Sequence, residues 1–254
     1  MPRLAIISAS GGTGRSTLAA ALASLATRCG PEALALDWDP ANALALHLGA
    51  FEPPDDGLAL QAPRGREVVA LQAADGTLVL PHGTLDAPTL VDLERRLVAE
   101  PDWLRASLDE LPLAPDGWVF LDTPRWPSVH ARQAARAADA VIVVTRADSA
   151  ALDFALPLLH SFAGRRAYLV VNHFDPARAL QSEVFASLHE RAGEALCLHA
   201  VHRDAAVPEA LAQRGTASAI SPHSLAAHDL QALMHWLQMQ FELVAPVQSG
   251  GDAG

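Results

Sequence analysis

Near the start of the chain the stretch SASGGTGRSTLAA, Ser8 to Ala20, follows the apolar run LAII. Gly11, Gly12 and Gly14 stand between what reads as a strand and what reads as a helix, the context in which a glycine pattern points to phosphate. Glycines let the backbone curl until several N–H groups converge on one anion. The N-terminal dipole of the following helix adds roughly half a positive charge. In that reading Ser16 places a hydroxyl on Mg²⁺ and Thr17 reaches a further phosphate oxygen. Where such loops carry lysine, this one holds Arg15. A guanidinium keeps the charge and can grip phosphate as a fork, but it is planar and bulkier than an ammonium. The plain alternative is a Gly/Ser-rich turn that only caps a helix.

Three acids weigh against that alternative. Asp37 and Asp39 lie in LDWDPANALALHLG, and Asp122 closes VFLDTP. Mg²⁺ on a triphosphate keeps several waters and needs carboxylates just beyond its inner shell. Asp122 is placed to hold it through water, with Ser16 and Asp39 as the other candidate magnesium residues. Asp39 could also orient an attacking water, with Asp37 beside it, in a phosphoryl transfer where positioning and electrostatics supply most of the catalysis. Singly, each acid also reads as a helix cap or strand-end turn. Other chemistries lack a pattern. The 11 histidines form no H-E-x-x-H or Cys/His cluster, and no serine or cysteine sits in a nucleophile motif. Cys29 and Cys197 are far apart and read as buried reduced thiols. Trp103 and Trp236 read as packing or partner-facing rather than ligand-stacking.

The elements that must position these residues follow a strand–helix rhythm. Runs rich in Val, Ile and Leu fall at Arg3–Ser8, Glu32–Pro40, Gly117–Pro124, Ala138–Asp148, Arg166–Asp175 and Glu194–Asp204, with helix-like segments between them. Continuous rather than alternating apolar runs mean strands covered on both faces. The expectation is a single doubly wound α/β domain over 1–244, a mostly parallel sheet with helices on both faces and ligands at the strands' carboxyl ends. Residues 51–115 read as an elaboration within it: two short strands joined by an Asp75–Gly76 turn, then helices broken before Pro101. Ser224–Val244 spaces its apolar residues like a packed helix, and 245–254 reads as a disordered tail.

Composition narrows the function classes. The net charge of −11 argues against a broad DNA-binding face, which needs clustered cations. All 18 basic residues are arginine, so Arg15 has a plain compositional explanation as well as a chemical one. No apolar stretch approaches the roughly 20 residues needed to cross a bilayer, and no export signal opens the chain. A cytosolic protein is expected.

Taken together, the deviant glycine loop, the D-x-D-P element followed by Asn42, the DTP element and the apolar strand ending in Asn172 resemble the MinD/ParA family of dimeric ATPases. A finer match, His199 to Leu230 with V-x-R-D-x-x-V-P-E-A, resembles the BcsQ family, MinD-like proteins of bacterial cellulose secretion operons. Arg125–Trp126–Pro127 is compatible with it. The resemblance implies ATP and Mg²⁺ as ligands and a homodimer across bound nucleotide. It maps the phosphate loop onto Ser10, Gly11, Gly12, Thr13, Gly14, Arg15, Ser16 and Thr17. Adenine contacts would fall near Asn172 and on the loop carrying His202, Arg203, Asp204 and Pro208. Two departures stand out: the family's cross-dimer lysine corresponds to Ser10, and the lysine of the β- and γ-phosphates to Arg15. Binding and dimerisation should therefore outlast hydrolysis. No basic residue follows Arg214, which disfavours a C-terminal membrane helix. The implied role is an adaptor of the cellulose synthase complex, recruited to the inner membrane by its other subunits. The alternatives are an active ATPase that positions a membrane or partition machine, and a nucleotide-free scaffold.

Overall fold

The computed structural model describes residues 1–30, 32–50, 55–65 and 67–242. Among these residues seven strands form one sheet in the order β3-β4-β2-β5-β1-β6-β7, every neighbouring pair parallel except β3 and β4. The five central ones are β1 (Arg3–Ile7), β2 (Ala33–Asp37), β5 (Trp118–Asp122), β6 (Ala140–Thr145) and β7 (Ala167–Val171). Each is an almost unbroken apolar run because both of its faces are covered. In β1, Leu4 and Ile6 enter one core while Ala5 and Ile7 enter the other. The order places β1 between β5 and β6, so the chain departs to opposite sides of the glycine loop and leaves a crevice there.

One core holds α1 (Arg15–Cys29), the short α2 (Leu44–His47) and the C-terminal α11 (Leu225–Glu242), with α9 (Ala206–Ala212) and α10 (Ala217–Ile220) beside them. Helix α1 is buried without a break from Leu18 to Ala26, as an alanine-rich helix can be when packed on two sides. The opposite core holds α3 (Leu58–Gln61), α4 (Ala87–Ala99), α5 (Trp103–Asp109), α6 (Val129–Ala137), α7 (Leu156–His160) and α8 (Ala179–Ala192). The break between α4 and α5 falls at Pro101 as expected, and Gln133 on α6 ties the two ends together by donating to Leu97 and Glu100 and accepting from the Leu104 amide.

The elaboration joins the sheet. Strands β3 (Leu71–Gln72) and β4 (Leu78–Leu80) form a small antiparallel pair around the Asp75–Gly76 turn, where Gly76 takes φ 91° and Asp75 accepts from the Thr77 amide. Two expectations are corrected. Glu194–Asp204 is not a regular strand: an isolated bridge joins Leu196 to Leu169 of β7 and another joins His202 to Phe174 beyond it, and the Cys197 and Val201 amides donate singly to the Leu169 and Val171 carbonyls. A tight turn from Leu198 to Ala200 lifts the intervening residues off the ladder and leaves Leu198 exposed. Cys29 is not buried either, because it ends α1 at the surface; Cys197 is buried, and burial pushes its thiol up to about 11. Residues 243–254, including the tail and the end of the predicted last helix, lie outside the described residues.

Candidate functional site

The glycine loop sits at the carboxyl end of β1, at the crevice. Gly12 and Gly14 have φ of 66° and 89°, a left-handed backbone that disfavours any side chain. Gly14 is needed twice over, since a Cβ there would collide with the amide of Asn172. That amide donates to the Thr13 carbonyl at 2.8 Å, so the end of β7 braces the loop from behind. Gly14 also caps α1, its carbonyl accepting from the Leu18 amide.

Arg15 is engaged by the protein's own backbone. Its Nε donates to the Thr123 carbonyl at 2.8 Å and an Nη to the Ser10 carbonyl at 3.3 Å. The guanidinium thus staples the loop to the DTP turn. Ser10 itself presents only a small hydroxyl at the loop's outer edge, with its amide donating to Ser8 Oγ.

The acids converge because of strand register. Asp37 pairs with Asp122 across β2 and β5, so the two carboxyls end their strands side by side, both almost wholly buried. Burial raises Asp122 to about 7; Asp39 adds to the rise, while a hydrogen bond from the Ser16 hydroxyl and the Arg15 charge oppose it. Burial and the Asp122 charge likewise lift Asp37 well above the carboxylate range. Their roles then separate. Both oxygens of Asp37 accept backbone bonds, from the Asp39 and Leu44 amides at 3.1 and 2.7 Å, so Asp37 shapes the turn that presents Asp39. Asp39, half-buried, accepts from the Ala41 amide. Asp122 keeps one buried oxygen, Oδ1, with no partner. An orphaned carboxylate oxygen, the Ser16 hydroxyl and the nearby Asp39 are hard oxygen donors of the kind Mg²⁺ takes.

On the other side of the loop lies a cavity of about 370 Å³, with walls from Thr17, Leu18, Val207, Pro208, Leu211 and Leu230 and a polar end at Asn172 and Arg203. It is mostly apolar and opens beside the first turn of α1, the form expected of a base pocket next to a phosphate loop. Two predicted contacts have scaffold duties. The His202 ring and amide both bond Asp229 on α11 at 2.9 Å. Asp204 accepts from the Ala206 and Ala226 amides, clamping α9 to α11, and those bonds lower its pKa.

A cluster absent from the sequence reading underlies the Asp37–Asp39 turn. Trp38, His82, His130 and Trp103 pack ring to ring, with centroids from Trp38 at 5.6, 5.2 and 5.6 Å to His82, His130 and Trp103. Trp38 Nε1 and both histidine Nε2 atoms are buried without a partner. Burial drives His130 down to about 3, with the neighbouring His82 adding to it, so both rings stay neutral. The one signal in the sequence was the tryptophan between the two acids. Trp103 is packing, as expected.

A model of the family "cellulose biosynthesis protein BcsQ" matches residues 1–237. The chromosome-partitioning ATPase Soj of Thermus thermophilus is 28% identical over 242 residues, covering 91% of this chain and 93% of Soj. Among solved structures, the cell division ATPase MinD of Pyrococcus furiosus superposes with a TM-score of 0.76 at 22% identity, covering 94% of this chain and all of that one. MinD of Pyrococcus horikoshii, complexed with Mg-ADP, gives 0.75 at 19% identity, covering 97% of this chain and all of that one. At such identities the structures establish a shared fold. The family model spans nearly the whole sequence, and the chain belongs to the cellulose biosynthesis protein BcsQ family, built on the fold of the MinD ATPases.

Proposed function

We propose that this protein binds Mg-ATP in the crevice between the glycine loop and the apolar cavity, dimerises across the nucleotide, and acts as an assembly or regulatory adaptor of the bacterial cellulose synthase complex. The observation that carries the nucleotide reading is the partnerless Oδ1 of Asp122, buried beside the Ser16 hydroxyl. Ser16, Asp122 and Asp39 would hold the magnesium, whose charge would offset that of the phosphates. The backbone amides of Gly11–Gly14 would bind the phosphates, and Val207, Pro208 and Leu211 would exclude water from the base. Hydrolysis is slow or absent in this reading, because Arg15 is spent on two carbonyls and Ser10 offers no cation.

The cellulose role rests on family membership. Recruitment to the inner membrane would run through protein partners; among the described residues no helix is long and apolar enough to cross a membrane. Asp39 and Asp122 favour a second reading, an active ATPase that positions membrane machinery. Calorimetry with Mg-ATP together with phosphate release tests both. Heat and dimer formation without turnover support the adaptor, turnover well above background supports the ATPase, and no heat removes the nucleotide reading. Unchanged cellulose output after gene deletion would remove the cellulose role.

A further inference from the structure

Helices α4 and α6 cover the same face of the sheet and leave a groove between them at the surface. About 530 Å³ of it lies between Val91, Arg95 and Val98 on one wall and Pro127, Val129 and Arg132 on the other. A smaller stretch of about 170 Å³ continues past Val98, Val129 and Arg132 to Pro101 and Arg136. None of these residues has a place in the nucleotide site above.

Helix α4 carries more apolar surface than its own packing uses. Leu90, Leu93 and Leu97 recur at the spacing of one helix face, and Leu93 and Leu97 are buried in the core. Val91 and Val98 stand seven residues apart, two turns along a neighbouring face, and are 45% and 64% exposed. Valine is a poorer helix former than alanine, so at such exposure the pair does little for the helix or the core. Two apolar points about 10 Å apart beside a groove match the anchor spacing of a docked amphipathic helix.

The groove also departs from the sign of the chain. Arg95, Arg132 and Arg136 line it against one acid, Glu94, which lies 3.8 Å from the His130 ring. Helix α6 holds two of these arginines and no carboxylate. At the rim Asp92 pairs with Arg95 at 3.1 Å and Asp102 with Arg136 at 3.9 Å, but all four side chains are more than half exposed and water weakens such pairs. Arg132, common to both stretches, donates to the Pro127 carbonyl and meets no carboxylate within 4.0 Å among the described residues. A guanidinium left over between apolar walls is complementary to a carboxylate with apolar neighbours. A two-fold dimer through this face would instead set arginines against arginines.

We propose that the α4–α6 groove is a docking site for an acidic amphipathic helix of another protein, whose apolar residues cover Val91 and Val98 and whose carboxylate pairs with Arg132. The inference goes beyond the nucleotide reading and does not depend on it.

The test is fluorescence anisotropy of labelled helical peptides of about 18 residues, titrated with the nucleotide-free full chain. The peptides share leucines at i, i+4 and i+7 and differ in their flanking residues, which are glutamate, glutamine or lysine. The glutamate peptides are expected to bind about tenfold or more tighter than the lysine peptides, the size of one hydrogen bond between charged groups. Val98→Asp and Arg132→Glu should each weaken the glutamate peptides about tenfold, and Arg132→Glu should reverse the order of glutamate and lysine peptides. A merely structural role for Arg132 would not produce that reversal. Unchanged melting establishes that the variants fold; Val98→Ser and Arg132→Gln serve if either melts early. The proposal is overturned if no glutamate peptide binds, if the three kinds bind alike, or if both variants bind the glutamate peptides within about twofold of wild type. It is overturned as well if sedimentation finds a nucleotide-free dimer that Val98→Asp dissolves, since the face then belongs to a second copy.

Discussion

The two halves of the cleft differ in what they retain. The base half is a complete cavity, apolar on most sides, closed behind by the Asp204 and Asp229 bonds that fasten α9 and the 202–204 loop to α11. The phosphate half keeps its left-handed glycines and its buried acids but has no lysine, and the guanidinium of Arg15 is bonded to carbonyls. The proposed adaptor, which binds nucleotide with little turnover, calls for such a contrast. Backbone amides and an apolar pocket hold a ligand without needing charge in one place, whereas stabilising a leaving phosphate does.

The strongest way to break the contrast is to restore the phosphate half. Ser10→Lys combined with Arg15→Lys is expected to raise phosphate release by a factor on the order of 10³, the scale of a supplied transition-state cation. An unchanged rate would show that Asp39 and Asp122 are not organised for hydrolysis. Next in size is Gly14→Ala, which strains the left-handed cap and strikes the Asn172 amide. It should cost about 1–2 kcal/mol in chemical denaturation and remove the heat of Mg-ATP binding. Asn172→Ala in the same chain should return part of the stability.

Asp122 sharpens the comparison through pH. Burial raises its pKa from 3.8 to about 7, so between those values the folded chain holds a proton that the unfolded chain has lost. Its contribution to stability therefore falls as pH rises through that window. Asp122→Asn should flatten this fall in melting scans of the nucleotide-free protein. Near pH 6, wild type should release a proton on taking up Mg-ATP, read from titrations in buffers of different ionisation heat, and the Asn variant should not. On the base side, Val207→Trp fills the cavity and is expected to weaken Mg-ATP about tenfold while leaving tripolyphosphate binding alone, the loss of one well-packed base contact. The smallest effect belongs to Asp204→Asn, which weakens the bonds to Ala206 and Ala226 and should cost about 1 kcal/mol in thermal unfolding, as for a helix cap.

Where the sequence spoke clearly, a single local cause was at work. The buried strands showed as apolar runs because both faces are covered, and Gly11–Gly14 showed because the strand hands over to the helix through left-handed backbone at Gly12 and Gly14. Asp122 stood out as the polar end of a hydrophobic run. What stayed hidden depended on distant partners. No spacing rule puts Asp37 level with Asp122, or the Asn172 amide against Thr13, since each meeting is made by sheet register. The error at Glu194–Asp204 has the same root: its composition suits a strand, yet the turn at Leu198–Ala200 breaks the pairing.

Trp38 lies between Asp37 and Asp39, sealed from solvent and stacked on Trp103 with the rings inclined by 18°. Any event that tugs Asp39 must disturb that indole pair and the neutral imidazoles beside it. The molecule thus carries an optical probe of its own cleft, and ultraviolet emission from the unlabelled protein would follow occupancy in real time.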